Sequence, residues 1–274
     1  MPNQFPSERF APLMEQGYDI APSDYVRDAF SLFQQRAGMF IGYGFVGFFI
    51  TFFSSIILSF LPIIGGFLGQ SVNTTLLAGH LQAGHQLVHE QRTEFSDFFR
   101  PFEKFVPILT YTLIVSMIFF VPFLAIFVSV IGFDFTLLSD PTLLSEQMEA
   151  AMTGGSALIA IVGFLFIFAL GVYVGVSYTL VIPLILFDEL SAWNAMEASR
   201  MLVGKKFGSV VVLLILLFFV NMLGVLLFGI GLLVSIPVSY LAMYLFYAHL
   251  LNQSEGGDDF LSFDEDQPLD AGFR

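Results

Sequence analysis

The stretch MFIGYGFVGFFITFFSSIILSFLPII, Met39–Ile64, carries no charged residue and is far too long for a buried strand. As a helix, about 20 such residues cross the roughly 30 Å hydrocarbon core of a bilayer. Comparable runs follow at Val106–Gly132, Ala157–Phe187 and Val210–Tyr247. A transmembrane barrel would need shorter strands of alternating apolar and polar residues, and that alternation is absent. The predicted fold class is therefore all-α: a polytopic helical membrane protein. Across the whole chain 56% of residues are hydrophobic and only 12% charged, against roughly 25% charged in soluble domains.

Six spans are expected, at about 37–62, 64–89, 106–132, 156–187, 209–227 and 229–251. The fourth is long enough to tilt or protrude, with a kink expected at Pro183. The second is the most polar. Cations test the assignment independently. Arg9, Arg27 and Arg36 precede the first span, and Arg92, Arg100 and Lys104 follow the second. Arg200, Lys205 and Lys206 follow the fourth, and Arg274 lies in the tail. By the positive-inside rule all four places are cytoplasmic. The polar second span must then cross, and both termini face the cytoplasm. The first 36 residues lack the apolar core of a signal peptide, so insertion is expected to start at the first span.

Three cytoplasmic entrances share a pattern of a short amphipathic helix, a break, and a Phe opening a long apolar helix. The first elbow is Ser23–Gln35, with Ser23 as N-cap and a stripe of Val26, Phe30 and Phe33. The second is Glu94–Phe102, with Phe95, Phe98, Phe99 and Phe102 on one face. The third is Ser191–Val203, with Ala192, Ala195, Met196, Ser199 and Val203 on one face. Such helices are expected in the interface, apolar face toward the acyl chains. The architecture is then three repeats of elbow plus helical pair. It comprises a polar segment 1–22, a six-helix domain 23–252 and a disordered acidic tail 253–274.

The runs Ser23-Asp-Tyr-Val-Arg-Asp-Ala-Phe-Ser-Leu-Phe and Phe95-Ser-Asp-Phe-Phe-Arg-Pro-Phe-Glu-Lys-Phe resemble the first half of a large group of bacterial six-helix membrane proteins of uncharacterised function. Pro183-Leu-Ile-Leu-Phe-Asp-Glu, the run Trp193-Asn-Ala-Met-Glu-Ala-Ser-Arg-Met-Leu-Val-Gly-Lys-Lys-Phe and the closing Gly229-Ile-Gly-Leu-Leu-Val-Ser-Ile-Pro-Val-Ser-Tyr are similar too. One branch of that group is the membrane domain attached to some glycerophosphodiester phosphodiesterases. The resemblance spans roughly residues 20–252 and implies a fold in the bacterial cytoplasmic membrane. It implies no activity, and no phosphodiesterase domain is expected here.

Chemistry-bearing residues concentrate on the second span. At 100° per residue Ser71, Thr75, Ala78, Gln82, His85 and His89 share one face, and intramembrane polar groups normally face protein or a wet cavity. The stripe either lines a path for a small solute or supplies hydrogen bonds between helices. His85 and His89 have the i, i+4 spacing of a metal pair, but His80 projects from nearly the opposite face, so no metal and no cofactor is expected. Asp188 and Glu189 fit a span boundary better than acid–base catalysis. With no Cys there is no thiolate ligand or nucleophile, and a net charge of −13 opposes nucleic-acid binding.

Gly171-Val-Tyr-Val-Gly permits close helix contact. The tail after Ser254 holds seven acids around Phe260, Leu261 and Phe263, either a solubilising tail or a short docking motif for a basic partner. The expected function is non-enzymatic: an accessory or scaffold protein, or one that handles lipid. Its expected partners are membrane lipids, another membrane protein or a ligand of the tail. The alternative is a channel or transporter using the polar face.

Overall fold

The computed structural model describes residues 7–61, 64–89, 93–131, 142–143, 145–146, 149 and 156–255. The acidic tail motif at Phe260, Leu261 and Phe263 lies outside them. Every regular element among the described residues is helical. In chain order they are α1 (Ser7–Gln16), α2 (Pro22–Gln35), α3 (Ala37–Leu58), α4 (Ile64–His89), a 3-10 helix (Asp97–Lys104) and α5 (Phe105–Ile131). Then come α6 (Ser156–Ser177), α7 (Val181–Phe187), α8 (Ala192–Lys205), α9 (Phe207–Leu226) and α10 (Leu232–Ser254). Five helical stretches among the described residues are long and apolar enough to cross a membrane: Ala37–Leu58, Asp97–Val130, Ala157–Phe187, Phe207–Leu226 and Leu232–Ser254. This is the fold of an integral membrane protein. The helix α4 has 26 residues, about 39 Å at 1.5 Å per residue, so it matches the others in length but not in apolarity.

The chain forms two compact units, one of Met1–Thr112 with Val176–Arg274 and one of Leu113–Gly175. In the smaller unit a Cβ on Gly163 would stand 2.7 Å from the Ile126 side chain, and one on Gly171 would stand 3.8 Å from Phe119. Close packing thus falls on Gly163, eight residues before the Gly-Val-Tyr-Val-Gly pair.

The larger unit is built around α4 and α10. Leu76, Leu81, Leu87, Val238, Leu241, Tyr244 and Leu245 have at most 3% of their surface exposed. Gly79 lets the 3-10 helix lie directly on α4, since a Cβ there would come within 2.3 Å of the Phe98 carbonyl oxygen. The Tyr43 hydroxyl fastens this crossing, donating to the Leu76 carbonyl at 2.7 Å and lying 3.3 Å from that of Phe98.

The elbows differ from expectation in three respects. First, α2 is capped by Ala21 with Pro22 at its first turn, where a missing N–H costs nothing; Ser23 is not the cap. Its buried face is Tyr25, Ala29, Leu32 and Phe33, whereas Phe30 is 47% exposed. Second, the elbow expected at Glu94–Phe102 is a turn followed by a 3-10 helix over Asp97–Lys104 rather than an α-helix, with Pro101 inside it. Three residues per turn eclipse positions i and i+3, so Phe99, Phe102 and Phe105 stack in one row while Phe98 and Pro101 bury along another. Third, the apolar residues of the elbows divide between the protein interior and its surface. Phe98 is fully buried and Met196 is buried, leaving Trp193 exposed. The 3-10 helix can bury Phe98 because Gly79 of α4 lies against its backbone.

The fourth apolar stretch breaks at Tyr178–Leu180, between α6 and α7, rather than at Pro183 itself. Proline lacks an N–H and clashes with the carbonyl four residues back, which here is Thr179. Ser199, on the buried face of α8, repairs the gap: its hydroxyl donates to the Ser177 carbonyl at 2.7 Å and accepts from the Leu180 N–H at 3.2 Å. Residues 1–22 are not merely polar. They contain α1, and Phe10, Leu13 and Tyr18 are buried, with the Tyr18 hydroxyl donating to the Leu202 carbonyl at 2.8 Å.

Candidate functional site

The polar face of α4 splits along its length. Ser71 and Thr75 are fully buried. The Ser71 hydroxyl donates to the Phe67 carbonyl and lies 2.5 Å from that of Thr112, while Thr75 donates to the Ser71 carbonyl. Every one of these hydroxyls therefore has a protein partner, and this section of the face is closed. Gln82 and His85 are half-buried, and His89 is exposed. The His85 ring stacks on Phe187 at 4.6 Å and lies 4.4 Å from that of His89, with Nδ1 3.2 Å from the Tyr244 hydroxyl. Of the five expected residues, Ser71 and Thr75 bond to protein, His85 and His89 join Phe187 and Tyr244 in a cluster at the elbow end, and Gln82 belongs to neither group.

His80, on the opposite face, is the more enclosed histidine, with 4% exposure. Phe40, Tyr43, Phe98 and Tyr240 surround it at centroid distances of 5.2–6.1 Å. Its Nδ1 meets the Leu77 carbonyl at 3.1 Å, and its Nε2 is buried with no hydrogen-bond partner among the described residues. An aromatic at each of 40, 43, 98 and 240 is visible in the sequence. That these positions converge on His80 is a tertiary fact with no local signal.

The elbow end is tied by polar contacts between distant segments. The Tyr25 hydroxyl lies 2.5 Å from His249 Nδ1, and Gln253 bonds the other ring nitrogen. Tyr247 donates to Asp188 at 2.6 Å, and Lys104 donates to Glu189 at 2.7 Å. Asp188 and Glu189 therefore act here as anchors. Glu189 takes a left-handed conformation (φ 53°) while the Leu190 N–H reaches back to the Leu184 carbonyl, the usual way of closing a helix. Hydrogen bonding to the Lys104 ammonium holds the Glu189 carboxyl below the usual carboxylate range. Burial pushes the Asp28 carboxyl up, against the pull of the neighbouring Arg27 guanidinium. Among the described residues no three His, Asp or Glu side chains gather as a metal site.

A second polar feature lies at the opposite end of α3 and α4. Thr51, Ser54 and Ser55 on α3, with Ser59 at its C-cap, face Gln70 and Asn73 on α4 across a cavity of about 510 Å³. The sequence signal was present in the polar interruptions of both helices; their pairing across a gap was not.

Neither the curated proteins nor the solved structures contain a match to this chain. A family model does match, covering residues 31–254, the whole of the helical assembly from the end of α2 to the last turn of α10. The chain belongs to that family, described as a protein of unknown function, DUF975.

Proposed function

We propose that this is a non-enzymatic, six-span protein of the bacterial cytoplasmic membrane that handles lipid or serves as an accessory subunit, with both termini in the cytoplasm. The observation that carries the reading is the uncovered flank of α3. Phe48, Phe49, Phe52 and Phe53 form stacked and edge-on ring pairs, and each is 49–62% exposed. Exposed apolar patches of this kind mark interaction with a membrane or another protein. The enclosure of Ser71 and Thr75 favours packing over a solute path along α4. The clustering of Arg36, Arg100, Lys104, Arg200, Lys205 and Lys206 at the elbows supports the orientation. Kinship with the membrane domain of some glycerophosphodiester phosphodiesterases belongs to the same proposal, as does a basic partner for the acidic tail.

The cysteine-free chain makes a direct test possible. Single cysteines at Thr142 and Asn252 are labelled with an impermeant reagent in intact cells, and the purified protein is reconstituted in liposomes. Position 142 should label and position 252 should not; the reverse would overturn the orientation. The liposomes should show no solute flux above empty vesicles. Flux that falls in Gln82→Leu would favour the channel or transporter instead.

A further inference from the structure

The cavity between the far ends of α3 and α4 has features that interhelical packing does not explain. Its volume of about 510 Å³ lies within the ~300–1,000 Å³ of small-molecule sites. The hydroxyls of Ser54, Ser55 and Ser59 donate to carbonyls of their own helix at 2.7–3.0 Å, which leaves their oxygen lone pairs free to accept. The side-chain amides of Gln70 and Asn73 meet no hydrogen-bond partner among the described residues. Gln70 is exposed and Asn73 half-buried, so both amides are open to a ligand that enters the cavity. Water alone would serve a polar site open to solvent. Here Leu58 and Leu61 join the lining, and Ile57, Phe60 and Ile64, their neighbours in the chain, are exposed at 62–81%, apolar surface suited to hydrocarbon.

From this arrangement we infer that the cavity is a binding site for a neutral glycerolipid, its glycerol-ester and hydroxyl groups against Asn73, Gln70 and the serines, its acyl chains along the α3 flank. Three features select that class. The lining contains no Asp, Glu, Lys or Arg, so nothing there balances a phosphate. Acceptors on α3 face donor–acceptor amides on α4, which matches a ligand with both hydroxyls and ester carbonyls. The apolar rim excludes a purely water-soluble polyol. The inference rests on the lipid-handling reading and gives it a location and a ligand class.

The test uses the full chain in nanodiscs containing dioleoylglycerol, read by native mass spectrometry beside thermal unfolding. The wild type should retain the diacylglycerol. Asn73→Leu should reduce retention about fivefold or more, as expected for lost hydrogen bonds, at unchanged unfolding temperature. Gln70→Leu, at an exposed position that tolerates substitution, should do the same and stands alone if Asn73→Leu misfolds. Undiminished retention in both variants overturns the site while leaving lipid handling intact. No retention by the wild type overturns the lipid reading as well. Preference for phosphatidylglycerol, or displacement by free glycerol, overturns the ligand class.

Discussion

Phe40 and Tyr43 of α3 are 0% and 1% exposed, yet two turns further along the same helix Phe48 and Phe53 are 62% and 57% exposed. Composition barely changes between the two regions. What changes is whether the chain sends short segments back over the helix. At the elbow end α2 and the 3-10 helix return, and Phe33 and Phe98 pack against Phe40 and Tyr43. At the far end no described segment packs over α3 in this way, and apolar surface and a polar slot are exposed. A bilayer removes the driving force for covering apolar surface but not the need to satisfy polar groups. The protein concentrates its specific packing where the surroundings turn aqueous.

Paired substitutions on α4 can break this contrast. Gly79→Val, at the elbow end, drives a side chain into the Phe98 carbonyl. The 3-10 helix must then lift, at a cost of about 3 kcal/mol or more. The expected result is loss of monodisperse protein in detergent chromatography. Gly66→Ala, at the far end, meets nothing within 4 Å and should leave the elution profile unchanged. Equal damage at both positions would erase the distinction between the two ends.

A smaller effect is expected where the elbow repairs a broken helix. Ser199→Ala removes both hydrogen bonds that close the Tyr178–Leu180 gap. Each buried group left unpaired costs about 1–3 kcal/mol, so the unfolding temperature in detergent should fall clearly, with helicity by circular dichroism retained. An unchanged temperature would mean that water replaces the hydroxyl.

The smallest effect concerns Asp28, the buried carboxylate of α2. Its folded pKa is raised by burial, so the folded state favours the protonated form. The associated stability is present below the unfolded pKa of about 3.9 and lost as pH rises through the folded value. Asp28→Asn should therefore stabilise the protein modestly at neutral pH, and the difference should vanish in acid. Destabilisation at neutral pH would show that the Arg27 pairing outweighs desolvation.

Particular residues show how much the sequence carried. Hydropathy alone marks α3, α5, α6, α9 and α10, because twenty apolar residues in a row admit few other structures. The buried face of α8 follows from its helical spacing, and Ser191 caps it by accepting from the Asn194 N–H. The buried face of α2 differs from the stripe that spacing predicts. Tyr25, Ala29 and Leu32 are individually less apolar than the stripe through Phe30, and only the approach of α10 decides between them. The 3-10 geometry of 97–104 was open to a reading of Pro101, since the Phe spacing fits either period. On α4, spacing correctly groups Ser71 with Thr75 and His85 with His89. It could not assign the first pair to a dry contact and the second to an aromatic cluster, because the partners Thr112, Phe187 and Tyr244 come from three other helices.

The pairing of α2 with α10 has a temporal consequence. The Tyr25 hydroxyl finds His249 across 224 residues of chain. At the usual 5–20 residues per second of synthesis, Tyr25 waits about 11 to 45 s on the ribosome before its partner exists. Throughout that interval the face of Tyr25, Ala29 and Leu32 has no cover from the last helix, while α3 is already made. Biogenesis of this protein therefore ends where its sequence begins.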